Sequence, residues 1–255
     1  MAAPRRSWLW GGLGLSLLAG LWQAGHLAYG GLILPGIGET VLRLAGMITR
    51  GVVAPALGIT ALHALMGWAI GALVGVGFGT LAGLRGELRA MLQPVAVLFL
   101  GVPAIAWVVM ALLWFGGDMA VVFTVAVASA PLSFAAAVEG VESLDPALAR
   151  MARAFRVPLL ARSLHLYAPH MLSHLFPVLT STLAMAWKLA VMAELLAGAG
   201  GVGDGIATAR VQVDTAATMA WVLVLVAVLI VVDRGVLGPL GRYLWRWRDV
   251  PEGQR

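Results

Sequence analysis

The sequence predicts an all-α integral membrane protein with six transmembrane helices, and three observations support this fold class. Apolar residues make up 61% of the 255 residues and charged residues only 11%, whereas an average soluble domain carries roughly 25% charged residues. Six long windows contain no Asp, Glu, Lys or Arg. Each can hold the roughly 20 residues that a spanning helix needs, the last by running slightly past its charged ends. No segment alternates with the period of two that a transmembrane barrel shows. Because backbone groups in lipid must hydrogen-bond internally, helices are the expected spanning elements.

The charge-free windows place the six spans within one domain, 1–255. We predict them at 8–28, 57–83, 92–115, 119–139, 170–197 and 216–236. The first span follows Arg5 and Arg6 as a secretory signal would, but its length and the five later spans favour an uncleaved anchor. With the N-terminus inside, thirteen arginines fall on the inner side and three on the outer side. Positive residues favour the cytoplasmic side, so both termini are predicted to be cytoplasmic.

Local patterns refine three of these elements. The outer segment 34–52 has the amphipathic pattern of a short interfacial helix. Three prolines are expected to bend their helices, because each removes one backbone hydrogen bond; they are Pro103, Pro131 and Pro177. The second span carries glycines every four residues, a spacing that lets another helix approach closely in lipid. These glycines are Gly67, Gly71, Gly75, Gly79 and Gly83.

The inner segment 140–169 is the longest predicted cytoplasmic connection. Asp145 followed by Pro146 is typical of a helix start, with a capping carboxylate and a first-turn proline. One face of the helix that follows is apolar and the other is basic. The apolar residues are Leu148, Met151, Ala152 and Phe155, and the basic ones are Arg150, Arg153 and Arg156. The pattern fits a docking surface for a cytoplasmic partner, or a simple amphipathic helix on the membrane surface.

At this loop the sequence resembles the permease subunits of bacterial ATP-binding cassette (ABC) importers. Their signature, the EAA loop, reads Glu-Ala-Ala, three residues, Gly, nine residues, Ile, one residue, Leu-Pro. The aligned residues here are Arg150-Met151-Ala152, Arg156, Leu166 and Ala168-Pro169, at the same spacing. The flanking residues Leu144-Asp145-Pro146 are similar to the nitrate, sulfonate and taurine branch of the family.

Other segments carry the same resemblance, in the same order. They are Leu34-Pro35, Pro103-Ala104-Ile105-Ala106-Trp107, Leu113-Trp114-Phe115-Gly116, Ala186-Trp187 with Val191 and Ala193-Glu194, and Gly201-Val202-Gly203. The resemblance therefore runs from residue 34 to about residue 236. No single motif is highly specific, but their order and spacing over six spans are.

The resemblance implies the type I ABC importer permease fold, with coupling helices between the fourth and fifth spans. It implies a pathway built by two permease subunits, with a homodimer favoured and a heterodimer possible. Two ATP-binding subunits would dock at 140–169, and a periplasmic or lipid-anchored binding protein would deliver the solute. ATP and Mg²⁺ would be bound by the partner ATPase, and this chain would bind no cofactor and have no catalytic residues. The implied location is the bacterial inner membrane.

The sequence also departs from the family pattern. Arg150 replaces the signature glutamate, which reverses the charge, and Arg156 replaces the glycine. Since a left-handed backbone is easy only for glycine, we expect Arg156 to disfavour such a turn. At the start of the second span, Thr60-Ala61-Leu62-His63 stands in place of the usual Ser-x-x-Arg. Three outcomes remain open: an ATPase with a compensating acidic cleft, a heterodimer with a more typical partner, or altered coupling.

Lys188 and Glu194 are the ionisable residues that lie clearly within the predicted spans. Charges at that depth are costly and are usually paired or functional. Six residues apart, the two point in different directions on one helix. Glu194 is open between a structural and a gating role, and Lys188 between an interhelical role and attraction of an anionic substrate. The candidate pathway residues are Pro103, Trp107, Trp187, Lys188 and Glu194.

Several function classes are disfavoured. The chain has no cysteine, so it has no disulfide or thiolate metal site. His170 and His174 have helical spacing for a metal, but no acidic third ligand is nearby, and we expect no metal site. The basic residues form no face interleaved with aromatics, so nucleic-acid binding is not expected. The alternative to an importer subunit is a secondary transporter or channel, which would need intramembrane carboxylates or an inverted repeat.

Overall fold

A computed structural model describes residues 4–232 and residue 234, and all regular secondary structure within them is helical. The end of the sixth predicted span, including residues 233, 235 and 236, lies outside the described residues. A π-helical turn at Ser163–Tyr167 precedes the ninth of eleven α-helices. The α-helices are α1 (Pro4–Tyr29), α2 (Ile37–Thr49), α3 (Val53–Leu84), α4 (Gly86–Gly101), α5 (Ala104–Trp114), α6 (Gly117–Glu142), α7 (Pro146–Ala154), α8 (Leu159–Arg162), α9 (Ala168–Ala197), α10 (Gly201–Val211) and α11 (Thr215–Val232).

The centre of the bundle is the contact between α3 and α6, which run parallel to each other. A side chain at Gly67 would place its Cβ 2.6 Å from Val125 Cβ, and one at Gly83 would lie 2.7 Å from Val141 Cβ. Between these two levels, Gly71, Gly75 and Gly79 lie directly against backbone carbonyls of α6. The glycine stripe therefore lets the two helices approach more closely than side chains would permit.

Helix α9 packs antiparallel to α3 and α6 and completes the core. The indole nitrogen of Trp68 on α3 donates to the Leu179 carbonyl of α9 at 3.2 Å, and Gly140 near the end of α6 lies beside Met171 near the start of α9. After α9 the chain folds back as α10, which packs against α3, α9 and α11. The loop between α6 and α9 therefore lies at one end of the bundle, here called the loop end. The turn between α9 and α10 lies at the opposite end.

The predicted span 92–115, which was expected to bend at Pro103, is divided into two helices. The chain forms α4 and α5 there, and the two helices meet at an angle of 97°. Pro103 causes the break, because it donates no backbone hydrogen bond and forces Val102 into an extended conformation, with φ −80° and ψ 126°. Since α3 ends at the loop end and the parallel α6 begins at the opposite end, α4 and α5 together return the chain across the bundle. Pro131 and Pro177, in contrast, lie inside helices that continue through them.

By length and composition, four stretches are apolar enough to cross a membrane, and the bent pair α4–α5 makes a fifth. The four are Val53–Leu84, Gly117–Glu142, His165–Ala197 and Thr215–Val232. Helix α1, which contains the predicted span 8–28, is long enough but is not among them, because its tryptophans, Gln23 and five glycines dilute its leucines. The leucine side chains of α1 that the structure describes are nonetheless exposed, as expected of a helix that faces lipid.

The predicted helix within 34–52 is present as α2, and polar contacts fix it beside α1 and α11. Arg43 on α2 forms a 2.5 Å ion pair with Asp214, which precedes α11. Trp22 on α1 donates to the Pro35 carbonyl at 2.8 Å, and Thr215 donates to the Gly31 carbonyl at 2.9 Å. These contacts bring the end of α1, α2 and the start of α11 together at the end of the bundle opposite the loop end.

Candidate functional site

The carboxylate of Glu194, near the end of α9, is the centre of a buried hydrogen-bonded cluster. Its side chain is 0% exposed. Thr60 on α3 donates to Oε2 at 2.8 Å, and the backbone N–H of Gly203 on α10 donates to the same oxygen at 3.1 Å. Nδ1 of His63 lies 2.9 Å from Oε1. The two oxygens are thus bound from two other helices, which compensates for removing the carboxylate from water.

Two further contacts extend this cluster, which we call the Glu194 clamp (Thr60, His63, Glu194 and Gly203). The backbone N–H of Val202 donates to Thr60 Oγ1 at 2.9 Å, so the threonine hydroxyl both accepts and donates. Nε2 of His63 lies 3.6 Å from Asp118 Oδ1 at the start of α6. Asp118 is 73% exposed, whereas His63 is 4% exposed. A chain of polar groups therefore leads from the surface to the buried carboxylate.

Glycines allow the α9–α10 turn to close over Glu194. Gly198 ends α9 in the left-handed conformation, with φ +60°, as is common at helix C-termini. Gly201 has φ +82°, and a Cβ there would lie 2.5 to 2.6 Å from the Glu194 carboxylate. A side chain at this position would displace the carboxylate from its donors. The turn therefore requires glycine for both its backbone conformation and its contact with Glu194.

The sequence identified these residues separately but not their contact. Thr60 and His63 drew attention because they replace a Ser-x-x-Arg pattern, and Glu194 because it lies within a predicted span. Their i, i+3 spacing places Thr60 and His63 on one face of α3. This shared face is the feature of the sequence that indicates a joint role for the two residues. Only the fold shows that this face meets the end of α9.

The other residues predicted for the pathway lie on α5 and α9. Ser181, Met185 and Lys188 form an exposed stripe along α9 at i, i+4 and i+7. Trp187 is 9% exposed, and its indole nitrogen has no hydrogen-bond partner among the described residues. Trp107 is half-buried and stacks on Phe99 with a centroid distance of 4.9 Å. Pro103 is exposed at the start of α5, whereas Glu194 is enclosed by the clamp.

At the loop end, α7 projects an apolar face that the rest of the described chain leaves exposed. The Asp145 carboxylate accepts a hydrogen bond from the backbone N–H of Ala147 at 2.7 Å and so caps the helix. Leu148, Met151 and Phe155 are all exposed, Phe155 by 78%. Ala152 is half-buried. The side chains of Pro146 and Arg153 lie outside the described part of the structure.

Arg156 ends this helix in a conformation that the sequence did not lead us to expect. Its φ is +51°, so the chain forms a left-handed turn here although arginine disfavours one. The turn is held by the hydrogen bond from Val157 N–H to the Ala152 carbonyl, at 3.0 Å, which satisfies one of the free carbonyls at the helix end. The chain thus keeps the backbone that glycine would favour, at a cost of about 1–2 kcal/mol for an L-residue.

The base of the loop is joined by histidines. His170 Nε2 and His174 Nε2 lie 3.0 and 3.2 Å from the hydroxyl oxygen of Ser143, which follows α6. Leu166 is half-buried in the π-helical turn, and Pro169 is exposed in the first turn of α9. The end of α6 and the start of α9 are therefore connected where the loop leaves the bundle and returns.

Comparison with known proteins places these features in one family. Residues 75–234 match the model of the family described as "Binding-protein-dependent transport system inner membrane component". The chain is 27% identical over 252 residues, 98% of its own length and 91% of the relative, to SsuC of Bacillus subtilis strain 168, a permease named for aliphatic sulfonates transport. It is 27% identical to the taurine transport system permease protein TauC of Escherichia coli K12, over 69% of this chain and 64% of the relative.

The fold comparison agrees. A chain of the inward-facing MetNI methionine ABC transporter matches with a TM-score of 0.61 and 19% identity, over 78% of this chain and 97% of that one. The bicarbonate transport system permease protein CmpB of Synechococcus elongatus is 27% identical over 71% of this chain and 64% of its own length. The architecture is thus that of a type I ABC importer permease.

Proposed function

The chain belongs to the family of binding-protein-dependent transport system inner membrane components, and we propose from this premise that it forms the transmembrane pathway of an ATP-driven importer. Two permease subunits, in a homodimer or with a related second chain, line the pathway. Two ATP-binding subunits dock at the loop end. A periplasmic or lipid-anchored binding protein delivers the solute at the opposite end. The complex lies in the bacterial inner membrane, with both termini of this chain in the cytoplasm.

The observation that carries this proposal is the family match over residues 75–234, from the end of α3 to α11. The apolar face of α7, which the other described residues leave exposed at the loop end, supports it. Closure of the ATPase dimer on ATP pulls on the loop from Asp145 to Leu166. The loop is tied to α6 and α9 through Ser143, His170 and His174. Movement of the loop therefore reaches the two helices that carry the bundle core, and it rocks them between inward-open and outward-open arrangements.

In this mechanism the chain itself carries out no covalent chemistry. ATP and Mg²⁺ are bound by the partner subunit, and hydrolysis takes place there. The Glu194 clamp joins α3, α9 and α10 through bonds that are shielded from water. These three helices accordingly move as one body while the α4–α5 segment, broken at Pro103, adjusts.

We assign a small solute with an anionic group, such as a sulfonate, taurine or nitrate, as the cargo. Relatives of this chain are named for sulfonate, taurine and bicarbonate transport. Lys188 lies exposed on the stripe of α9, at a depth where a cation facing lipid would be costly. Together with Pro103, Trp107 and Trp187, Lys188 lines the pathway in this proposal, and its ammonium group attracts an anion without holding it tightly.

The role of Lys188 is tested by two substitutions measured together. Lys188→Met is expected to weaken the apparent affinity for the anion in uptake assays, while Lys188→Arg retains it. Equal protein levels and equal thermal stability show that the effect is not one of folding. Unchanged affinity in Lys188→Met would contradict the anion role and leave Lys188 as an interhelical residue.

The importer assignment is tested by copurification. The chain is co-expressed with a candidate ATP-binding subunit from the same genome and purified in mild detergent, and a stable complex is expected. A secondary transporter or channel is the alternative function. It would bind no ATPase, and it would move solute with an ion gradient alone.

A further inference from the structure

We propose that α7 and the turn after it present Arg150 and Arg156 to an acidic groove on the ATP-binding subunit. This inference rests on the proposed function, which places that subunit at the loop end. It goes further by assigning the chemistry of the partner surface: carboxylates, where the family signature, with its glutamate, indicates a basic one.

The charge of the loop supports an acidic partner. Between Ser143 and Leu164 the chain carries Asp145 and four arginines. The Asp145 carboxylate is occupied by the cap of α7. Neither Arg150 nor Arg156 makes an ion pair with any described residue, and both are exposed. A pair of exposed arginines that no described carboxylate pairs with is complementary to carboxylates on another surface.

The backbone at Arg156 gives a second, independent indication. An arginine held at φ +51° loses the stability that glycine would provide, about 1–2 kcal/mol. Its exposed side chain gains no compensating ion pair within the described residues. The hydrogen bond from Val157 N–H to the Ala152 carbonyl holds the turn, but glycine would allow the same bond without the strain. An arginine at this position therefore points to a function of its side chain outside the chain.

The geometry of α7 separates the ATPase from membrane lipid as the occupant. Leu148, Met151 and Phe155 share one face of the helix, and Arg150 lies about 160° around the axis from Leu148, at 3.6 residues per turn. When the apolar face, which the described chain leaves exposed, lies against the membrane surface, Arg150 points into the cytoplasm. Headgroups of acidic lipids would lie on the opposite side. A cytoplasmic protein surface is the partner that Arg150 can reach.

The test uses the full-length chain in lipid nanodiscs and measures the dissociation constant of its ATP-binding subunit. Arg150→Glu and Arg156→Gly are compared with the native chain and with Arg85→Glu. Arg85 is an exposed arginine at the loop end, after α3 and outside α7, so it is a matched charge control. Arg156→Gly relieves the backbone strain while it removes the charge, and its folding is checked by thermal unfolding.

We expect Arg150→Glu and Arg156→Gly each to weaken ATPase binding about tenfold or more, as loss of one partner in an interfacial charge pair does. Arg85→Glu should bind like the native chain. Binding of the native chain should also weaken as salt is raised. Arg156→Gly should be at least as stable as the native chain, so its loss of affinity cannot be attributed to unfolding.

Three results would decide otherwise. If the native chain binds no ATPase, the proposed function itself is wrong. If the native chain binds but Arg150→Glu and Arg156→Gly bind equally well, the acidic groove is refuted while the importer assignment stands. If the variants lose affinity only in nanodiscs containing acidic lipid and not in purely zwitterionic ones, lipid headgroups are the partner, and the inference is again refuted.

Discussion

Replacing Thr60 by valine removes one hydroxyl from the Glu194 clamp without changing the shape of the side chain. Thr60 is 0% exposed, so no water can replace the lost bonds. The substitution deletes the donor to Glu194 Oε2 at 2.8 Å and the acceptor for Val202 N–H at 2.9 Å. The buried N–H of Val202 and one hydrogen-bonding position on the Glu194 carboxylate are then left without a partner.

The magnitude follows from these two lost bonds. Each buried group left without a partner costs about 1–3 kcal/mol, whereas single side-chain hydrogen bonds within membrane proteins average about 0.6 kcal/mol. Because Thr60 serves two groups and one is a carboxylate, we expect about 2–4 kcal/mol of lost stability. The α9–α10 turn should loosen first, since Val202 and Gly203 lie there.

The stability of the purified chain is measured by unfolding in mild detergent, with Thr124→Val as the control. Thr124 is also 0% exposed, but its hydroxyl donates only to the Ala120 carbonyl of its own helix, at 2.8 Å. Thr124→Val should cost less than about 1 kcal/mol. If Thr60→Val is no more destabilising than Thr124→Val, the clamp does not join the helices as described.

Two further predictions concern the backbone. Gly71→Ala should destabilise the chain, because the new methyl group meets Ser129 and Ala126 of α6. Gly77→Ala on the same helix meets nothing within 4 Å and should stabilise the chain by about 0.5–1 kcal/mol. Melting temperatures that shift in the same direction for both variants would argue against close α3–α6 packing. Val213 is exposed with φ +57°, so Val213→Gly should stabilise the chain by about 1 kcal/mol, while Val211→Gly in helical backbone should not. Equal effects of the two valine substitutions on thermal unfolding would refute the assigned strain.

The sequence predicts those parts of the fold that depend on one helix alone. The four-residue spacing of the glycines from Gly67 to Gly83 predicts a close helix contact, and Pro103 predicts a distortion of the third span. The size of that distortion depends on where α3 ends and α6 begins, so a bend was expected and a break of 97° was found. Local pattern cannot give the angle between two helices that are positioned by others.

The candidate site shows the same division. The sequence singles out Glu194, Thr60 and His63, but Glu194 lies more than 130 residues after the other two. Their contact depends on the antiparallel packing of α9 on α3. Arg156 is a different case. The ordinary backbone preference of a residue with a side chain favours a right-handed conformation, whereas the hydrogen bond that closes the C-terminus of α7 favours a left-handed one. The hydrogen bond to the Ala152 carbonyl prevails.

The central claim, that this chain is the permease subunit of an ATP-driven importer, is tested most directly by transport. The chain is reconstituted in proteoliposomes with its ATP-binding subunit and its binding protein, and uptake of a labelled sulfonate is measured. The account predicts uptake that requires both partners and hydrolysable ATP, and that stops with a non-hydrolysable analogue. Uptake by this chain alone, driven by an ion gradient and indifferent to ATP, would contradict it.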